Sequence, residues 1–520
     1  MRDWAGKSGT IGLAILIALV FGLFTSLCKA EAIYVAQTAG GLGNGQSPTD
    51  PKDITFLNDP GNWSSPRKIP GEIGPGDIIH LVGTITSQIV VQMGGTSNDP
   101  IELLFEPGAI MTSPAWPNHG AISIPMVDGV GQGYVIIDGG GNGIIENTDN
   151  GTDLGHQIDS TGIWLQEPHH VTIRNLTIRN LYVHPAPSPD PHSYGVCVKA
   201  MTGDNNGPST KVTVTHCVFH DARIGFYIAY GKNWSDFDYS FCTAYNCNWG
   251  GNAGDAYRFA SISNLQVHNN VFRDWANWDD TSKANRNHHN GFYAWAVSGG
   301  TLRKISIYSN TVGPHFGGRA TSGIYCSGNI EEVLIYNNLL MEQGAGDRPM
   351  DGLVFIFANL GAIASISRVY NNTFIGDGAG TAIDFASGRG PTITTYEAKN
   401  NLALNVSTFI AVYNNTSSTL ISDNNLIFNS VSGNPRGSSL AFSSSPSSSA
   451  HFIPFEKWQA LGSDQHSGIA NPLLTKDFHP ALGSPAVSKG VNLSSFFTDD
   501  KNGHLRPPIA SWDIGAIQHD

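Results

Sequence analysis

One segment of the 520-residue chain concentrates side chains that can carry out acid–base chemistry. Residues 276–291 read ANWDDTSKANRNHHNG and hold two adjacent aspartates, Asp279 and Asp280, and two adjacent histidines, His288 and His289. Histidine is the side chain best suited to proton transfer near neutral pH, and a neighbouring carboxylate can orient it or bind a metal ion with it. The same pattern is also typical of a structural turn in which imidazoles bond to the loop backbone. Both interpretations remain open at the level of the sequence.

The same aspartates are candidates for binding a metal ion. Asp279 and Asp280, and the run DNGTD at 149–153, supply the oxygen ligands that calcium prefers. Short Asp and Asn runs also form ordinary turns. The cofactor is therefore unknown, with calcium as the ion that these residues allow.

The elements that must position these residues come from an internal repeat. Its pattern, apolar-x-apolar-x-polar-Asn-x-apolar, recurs nine times between residues 171 and 427 at spacings of 24 to 41, as in LQVHNNVF (265–272) and VLIYNNLL (333–340). Alternation with a period of two predicts strands, and a core unit of about 25–30 residues is typical of a solenoid. The segment 276–291 is an insertion into one of the longest units, and such insertions commonly build the functional face.

The sixth position of the repeat predicts a column of stacked side chains. Coils of a solenoid lie about 4.8 Å apart, so carboxamides at one position can hydrogen-bond from coil to coil. The column holds Leu176, Cys217, Cys242, Asn270, Asn310, Asn338, Asn372, Asn401 and Asn425. Its two cysteines lie on neighbouring coils, where they can form a disulfide or remain stacked thiols.

A second set of short strands follows the repeat and predicts the ligand-binding face. Aligned mainly on their opening glycines, these strands give one outward column: Trp164, Cys197, Tyr227, Arg258, Tyr293, Tyr325, Val354 and Asp384. Rings along a groove can stack on sugars, and an arginine can pair with a carboxylate. The predicted substrate-binding residues are Lys199, Tyr227, Trp295, Arg319, Tyr325 and Asp351. Outward rings that only cover the sheet beneath a loop are the alternative.

The predicted catalytic residues fit two reactions. They are Arg258, His288, His289, Asp255 and Tyr293, with Asp255, Arg319 and Asp351 aligned beside the inserted loop. A β-eliminating lyase needs a cation to neutralise a uronate carboxylate and a base to remove a proton, which these side chains can supply. A hydrolase needs two carboxyl groups about 5–9.5 Å apart, and Asp255 and Asp351, about three coils apart, are too distant. Asp279 or Asp280 of the inserted loop, folded toward Asp255, is the alternative source of such a pair.

Charge and the N-terminus restrict the partners and the compartment. A net charge of −13 argues against a general nucleic-acid binder, although a local groove can still bind an acidic polysaccharide. Arg2 and Lys7 precede an apolar run at 11–24, and small residues follow in CKAEA (28–32), which predicts a cleaved signal peptide or, alternatively, an uncleaved anchor. No other apolar run is long enough to span a bilayer. We therefore expect a secreted, extracellular or periplasmic monomer with no membrane span after cleavage.

The repeat and both ends of the chain resemble the pectate-lyase-like superfamily. AIYVAQTAGG (32–41) resembles the opening strand of its bacterial members, and FEKWQALGSDQHSGIANPLL (455–474) and DDKNGHLRPPIASWDIGAIQ (499–518) resemble their C-terminal cap. The resemblance implies an all-β, right-handed parallel β-helix with N-terminal and C-terminal caps. The predicted organisation is a signal peptide (1–30), a β-helix (31–430) and a Ser-rich loop, short helix and cap (431–520).

The resemblance is specific for the fold and not for one activity. The superfamily includes lyases, hydrolases, epimerases and non-catalytic adhesins, and the NTDG and GHG motifs of its pectin hydrolases and the KS and RHG pairs of its alginate-lyase and chondroitinase-type members do not occur at matching places. We expect an exported carbohydrate-active protein, a polysaccharide lyase or glycoside hydrolase. A non-catalytic glycan-binding or cell-surface β-helix is the alternative.

Overall fold

A computed structural model describes most of the chain. The described residues are 30–66, 68–188, 195–202, 207–229, 231–255, 259–279, 289–296, 299–318, 320–342, 351–358, 365–378, 380–387, 394–413, 418–429, 440–443 and 451–519. Residues 1–29 of the predicted signal peptide and most of the Ser-rich loop lie outside these residues. Within them, no helix has the length and apolar character needed to cross a membrane.

Short strands make up nearly all of the regular structure. The first third contains β1 (Ala32–Ala36), β2 (Lys52–Asp53), β3 (Ile78–Val82), β4 (Thr84–Ile85), β5 (Ile89–Val90), β6 (Ile101–Phe105), β7 (Ile110–Ser113), β8 (Ile122–Ile124), β9 (Gly133–Asn147), β10 (Ser160–Gln166) and β11 (His169–Arg179). The middle third contains β12 (Gly195–Met201), β13 (Ser209–Thr215), β14 (Val218–Ile228), β15 (Gly231–Ser240), β16 (Thr243–Asp255), β17 (Ala260–His268), β18 (Val271–Arg273), β19 (His289–Ala296), β20 (Leu302–Tyr308), β21 (Thr311–Val312), β22 (Ala320–Gly328), β23 (Glu332–Tyr336) and β24 (Leu339–Met341).

The last third continues the same pattern. It contains β25 (Val354–Ala358), β26 (Ser365–Tyr370), β27 (Thr373–Ile375), β28 (Thr381–Ser387), β29 (Thr394–Lys399), β30 (Leu402–Leu404), β31 (Thr408–Tyr413), β32 (Ser418–Asp423), β33 (Leu426–Phe428), β34 (Leu440–Ser443), β35 (His451–Ile453) and β36 (Gly468–Ile469). The described helices are short: α1 (Ile54–Asn58), α2 (Phe455–Ala460) and two 3-10 turns, Pro60–Asn62 and Ala276–Trp278.

The strands stack in three parallel sheets, so that each coil of the chain adds one strand to each sheet. Sheet I contains β8, β10, β12, the C-terminal parts of β14 and β16, and then β19, β22, β25, β28 and β31. Sheet II contains β11, β13, β15, β17, β20, β23, β26, β29 and β32, and sheet III contains β18, β21, β24, β27, β30 and β33. The prediction of an all-β parallel β-helix is confirmed.

The predicted asparagine column forms a buried hydrogen-bonded ladder at the corner between sheets II and III. The Oδ1 of Asn338 accepts from the backbone N of Asn310 at 3.0 Å and from its Nδ2 at 2.9 Å, and Asn310, Asn372 and Asn401 repeat this geometry with their neighbours. The side chain of Asn338 is fully buried. Each carboxamide therefore satisfies backbone groups that a buried turn would otherwise leave unpaired.

A left-handed backbone residue precedes the ladder on every coil and makes the corner possible. Its φ lies between 48° and 58° at Asn175, His216, Phe241, Asn269, Ser309, Asn337, Asn371, Asn400 and Asn424. Asparagine reaches this region at lower cost than most side chains, which explains why the repeat reads Asn-Asn in its later coils. Phe241 is an exception to that preference, and its side chain is half exposed, at 49%.

The two cysteines of the column are stacked thiols. The backbone N of Cys217 donates to the Sγ of Cys242 at 3.4 Å, and neither sulfur is in a disulfide. All five described cysteines are buried and free, and burial raises the pKa of the Cys242 thiol. The thiols therefore act as small apolar side chains of the core.

The C-terminal segment terminates the ladder and covers the last coils. Asn425 donates from Nδ2 to the Asp464 carboxylate at 2.9 Å, and its backbone N donates to Ser467. Further along, Trp512 and Phe497 pack on the outward side of Tyr336 and Tyr370 in sheet II. This arrangement corresponds to the predicted C-terminal cap. The exact domain boundaries stay a prediction.

Replacing Asn338 by leucine should destabilise the protein more than any exposed Asn substitution. The change removes the acceptor of Asn310 and the donor to the Ile307 and Tyr336 carbonyl oxygens, and each buried group left unpaired costs about 1–3 kcal/mol. The measurement is the urea midpoint followed by tryptophan fluorescence, with Asn98→Ala on the exposed surface as control. Equal midpoints for the two variants would contradict a stabilising role for the ladder.

Candidate functional site

The strand register of sheet I defines one outward column of side chains. Successive pairings connect Trp164, Lys199, Tyr227, Asn252, Tyr293, Tyr325, Phe355 and Asp384. The predicted column was wrong at Cys197 and Val354, which are fully buried in the interior. Lys199 and Phe355 occupy those two levels of the column instead. On these coils the opening glycine lies at a different distance from the outward residue, so an alignment on glycines selects the wrong residue.

The predicted column also misassigned the coil between Tyr227 and Tyr293. That level belongs to β16, which ends at Asp255 and contributes Asn252. The segment AYRFA, which was expected to form this strand, follows β16, and its last residue, Ala260, begins β17 in sheet II. Arg258 itself lies outside the described residues.

The aromatic side chains of the column stack on one another, which changes what they offer a ligand. The rings of Tyr293 and Tyr325 are 4.6 Å apart at 4°, and those of Tyr325 and Phe355 are 4.7 Å apart at 9°. Both faces of Tyr325 are therefore occupied by protein, which leaves the ring edge for contact with a ligand. The expectation that these rings stack on sugar faces was wrong for Tyr325. Trp295, in the next outward column, is tilted 38° from Tyr293 and is partly exposed.

Tyr293 is poorly suited to act as a base. It is 1% exposed, and burial, reinforced by Tyr325 and Cys326, raises the pKa of its hydroxyl well above the ordinary value. The phenolate form, which would remove a proton, is therefore strongly disfavoured.

His289 is a buried linking residue and does not face solvent. Its imidazole is fully buried, with Nδ1 2.5 Å from Asn248 Oδ1 and Nε2 3.0 Å from Asp279 Oδ1. Asp279 in turn accepts from the backbone N of Gly318 at 3.0 Å. The three residues tie the start of the inserted loop to β19, which is a structural role, although the imidazole bonds to side chains and not to the loop backbone. His288, Asp280 and Arg319 lie outside the described residues.

Asp255 lies at the opposite edge of sheet I from His289. It pairs with Ala296, the last residue of β19, whereas His289 is the first, so about 23 Å of strand separates the two positions. The structure therefore does not bring Asp255 beside His289, while residues 280–288 of the loop lie outside the described residues. Asp255 accepts a hydrogen bond from the Tyr227 hydroxyl group at 3.3 Å.

Basic side chains mark the coils around Tyr227. Lys199 lies directly below Tyr227 in the column and donates to Asn118 Oδ1 at 3.2 Å. The guanidinium group of Arg223 lies 5.3 Å from the ring centre of Trp249 on the next coil. This end of the face can therefore attract a carboxylate or sulfate group.

Two carboxyl groups lie at the other end of the face. Asp384 occupies the outward column above Phe355 and is 2% exposed, and its Oδ2 accepts from the backbone N of Gly352 at 2.8 Å. Its Oδ1 is buried without a hydrogen-bond partner in the described part of the chain. Asp351, the residue before Gly352, is partly exposed. The backbone of the Asp351 coil thus holds the Asp384 carboxyl group in place.

Burial raises the pKa values of both carboxyl groups above the ordinary range, and it raises them by different amounts. Burial raises the pKa of Asp351 to about 6. Burial and then the charge of Asp351 raise the pKa of Asp384 to about 8. Near neutral pH, Asp384 is therefore mostly protonated and Asp351 mostly ionised.

The sequence contained a signal for this pair that the prediction did not use. The sequence predicts Asp351 as a substrate-binding residue and Asp384 as a member of the outward column, and the two lie on adjacent coils. Acidic residues on adjacent coils are the signal in the sequence that indicates Asp384 as the partner of Asp351. Its burial was not readable from the alternating pattern.

The described residues contain no group of three His, Cys, Asp or Glu side chains arranged to hold a metal ion. At the acidic run 149–153, Asp149 accepts from the backbone N of Gly155 and contacts His156, which is the geometry of a turn. Calcium dependence stays a prediction.

Comparisons with known proteins concern the fold alone. No family model and no curated protein matches the sequence. Among solved structures, pectate lyase Pel9A is 13% identical, with 95% of this chain and 97% of that chain covered and a TM-score of 0.36. A rhamnogalacturonan lyase is 13% identical over 76% and 87%, with a TM-score of 0.38, and the complex of XylC with xylose is 8% identical over 94% and 98%, with a TM-score of 0.46. The register of sheets I to III establishes the fold independently: the chain is a parallel β-helix, as its repeat and its resemblance to the pectate-lyase-like superfamily predicted.

Proposed function

We propose that this chain is an exported glycoside hydrolase that cleaves a polysaccharide bound along the outward face of sheet I. The observation that carries the proposal is the carboxyl pair Asp351–Asp384 on adjacent coils, where Asp384 accepts from the Gly352 backbone N and burial raises the two pKa values to about 6 and about 8. Glycoside hydrolysis needs one carboxyl group of each kind on either side of the bond. Export rests on the predicted signal peptide at 1–30.

Each carboxyl group has a distinct role in the proposed reaction. Asp384 donates its proton to the glycosidic oxygen as the bond to the sugar carbon breaks. Asp351 accepts a proton from the water whose oxygen forms the new bond to that carbon. Because Asp384 is 2% exposed, glycan binding must open this part of the face before the proton can reach the substrate.

The stacked rings of Tyr325 and Phe355 form the surface along which the glycan lies. Tyr325 and Phe355 lie between Lys199 and the carboxyl pair in the outward column. Lys199, Tyr325 and Phe355 are each partly exposed, so the ring edges and the Tyr325 hydroxyl group can contact a glycan. Ring edges and hydroxyl groups bind sugars through hydrogen bonds and apolar contact. Trp295 and Phe357, in the next outward column, are the partly exposed rings that complete this surface.

The pH dependence of kcat/KM should be bell-shaped, with limbs near pH 6 and pH 8. Activity rises as Asp351 loses its proton with a pKa of about 6, and falls as Asp384 loses its proton with a pKa of about 8. The measurement is the release of reducing ends from a panel of polysaccharides between pH 4.5 and 9.5. A flat profile through this range would exclude the assigned pair.

Asp384→Asn should lower the rate of reducing-end release by about 10²- to 10⁴-fold, the usual contribution of a general acid. The fold should persist, because an amide oxygen can still accept from the Gly352 backbone N. Asp128→Asn makes the same substitution on the exposed surface and should leave the rate unchanged. Equal rates for the two variants would remove Asp384 from the mechanism.

A polysaccharide lyase is the second candidate, and the end of the face around Tyr227 favours it. Lys199 could neutralise a uronate carboxylate, while Tyr227 takes the C5 proton and passes its own hydroxyl proton to Asp255. The C4–C5 double bond forms as the C4–O bond breaks, and the leaving oxygen takes a proton from water. The products would then carry a double bond that absorbs ultraviolet light.

Following ultraviolet absorbance and reducing ends in parallel separates the two reactions. If the protein is a lyase, Tyr227→Phe abolishes the absorbance increase and Asp384→Asn does not. If it is a hydrolase, no absorbance increase appears, and Asp384→Asn abolishes the release of reducing ends whereas Tyr227→Phe does not. Glycan binding without either product across a broad panel would instead support the non-catalytic alternative.

A further inference from the structure

A second groove lies on sheet II, away from the outward face of sheet I. It has a volume of about 480 Å³ and crosses the starts of β15, β17 and β20. The pairing of Ser235 with Ser263 and of Ser263 with Arg303 sets one side of it. Asn233, Ser261 and Thr301, each two residues earlier in the chain, line it as well. A groove of this volume is large enough for a small ligand, and its polar lining favours a polar one.

Two cationic side chains lie at its two ends. Lys232 is exposed and has no ion-pair partner in the described part of the chain. Arg303 is 56% exposed and donates from Nε to Glu331 at 2.7 Å, and its two terminal nitrogens remain without a partner among the described residues. Because β15 and β20 are two coils apart, the two cationic positions are separated by about 10 Å along the helix axis.

The hydroxyl groups between the cations keep hydrogen-bonding capacity. Ser261 Oγ accepts from the Thr301 backbone N at 3.2 Å, which leaves its own O–H group to donate to a ligand. Ser263 Oγ donates to the Trp234 backbone O at 3.3 Å and keeps its acceptor positions. Among the described residues that line the groove, Trp234 is the aromatic one, and it is 1% exposed, so these residues offer a nucleic-acid base no ring on which to stack.

We propose that this groove is a second binding site for an anionic saccharide, separate from the proposed active face. Arg303 and Lys232 bind oxyanions on the sugar chain, and the serine and threonine hydroxyl groups bind its hydroxyl groups. In a chain of net charge −13, two cations at the ends of a hydroxyl-lined groove select a ligand that is both polyhydroxylated and acidic. A uronate carboxylate and a sulfate ester present the same oxyanion chemistry.

The test is calorimetric titration of the full chain with four probes of similar length. These are a uronate oligosaccharide, a sulfated oligosaccharide, an uncharged oligosaccharide and a single-stranded oligonucleotide. We expect Arg303→Gln and Lys232→Gln each to weaken binding of an acidic oligosaccharide about tenfold, the loss of one charge-assisted hydrogen bond. Lys457→Gln, on the exposed side of α2, removes the same charge and should leave the Kd unchanged.

Every outcome bears on the groove independently of catalysis. Binding of the uronate probe, the sulfated probe or both, lost in the two groove variants, supports the proposal and identifies the source of the oxyanion. Absence of binding at millimolar concentration, equal binding of the uncharged probe, tighter binding of the oligonucleotide, or unchanged Kd values in both variants would overturn it. The groove variants should retain full turnover of a short substrate, so failure of the proposed active site and failure of the groove give different results.

Discussion

The structure depends on the stacking of each coil on the coil before it at a fixed register. Parallel pairing satisfies the backbone along the sheets, but a buried corner has no strand partner, and its polar groups must be satisfied by side chains. The Asn ladder does this from Asn270 to Asn425, with Asp464 and Ser467 closing its end. A shift of one residue at this corner would place every carboxamide in the wrong position, so the ladder also fixes the register of the adjoining strands.

A fixed register makes the outward face of sheet I a set of columns, and a column limits what its side chains can do. Side chains of one type stacked at the coil spacing meet one another before they meet a ligand. Tyr293, Tyr325 and Phe355 therefore stabilise the stack through their faces and expose only their edges. Residues that differ from their column neighbours, such as Lys199 below Tyr227 or Asp384 above Phe355, keep the chemistry that stacking removes from the rings.

This difference explains how far the sequence could predict the molecule. The ladder was predictable because one residue type recurs at one phase of a recognisable repeat, and its neighbours' left-handed φ values follow the same phase. The outward residues of sheet I were harder to predict, because glycines open its strands at different distances from those residues. That displacement put Cys197 in place of Lys199 and Val354 in place of Phe355. The depth of His289 was not predictable either, because burial of a loop histidine depends on partners such as Asn248, 41 residues away in sequence.

The distribution of charge follows from the same architecture. Stacked identical charges would repel one another at every coil, which disfavours charged columns and explains a charged fraction of only 14%. A carboxyl group that does lie in a buried column must lower its cost by a hydrogen bond, by a partner or by taking up a proton. Asp384 has one backbone donor and a neighbouring acid, and so it stays protonated to about pH 8. A protonated acid in a column that faces outward is costly to keep for stability alone, since an apolar side chain would fill the place at no electrostatic cost. That cost supports the proposed role of Asp384 as the proton donor in a reaction.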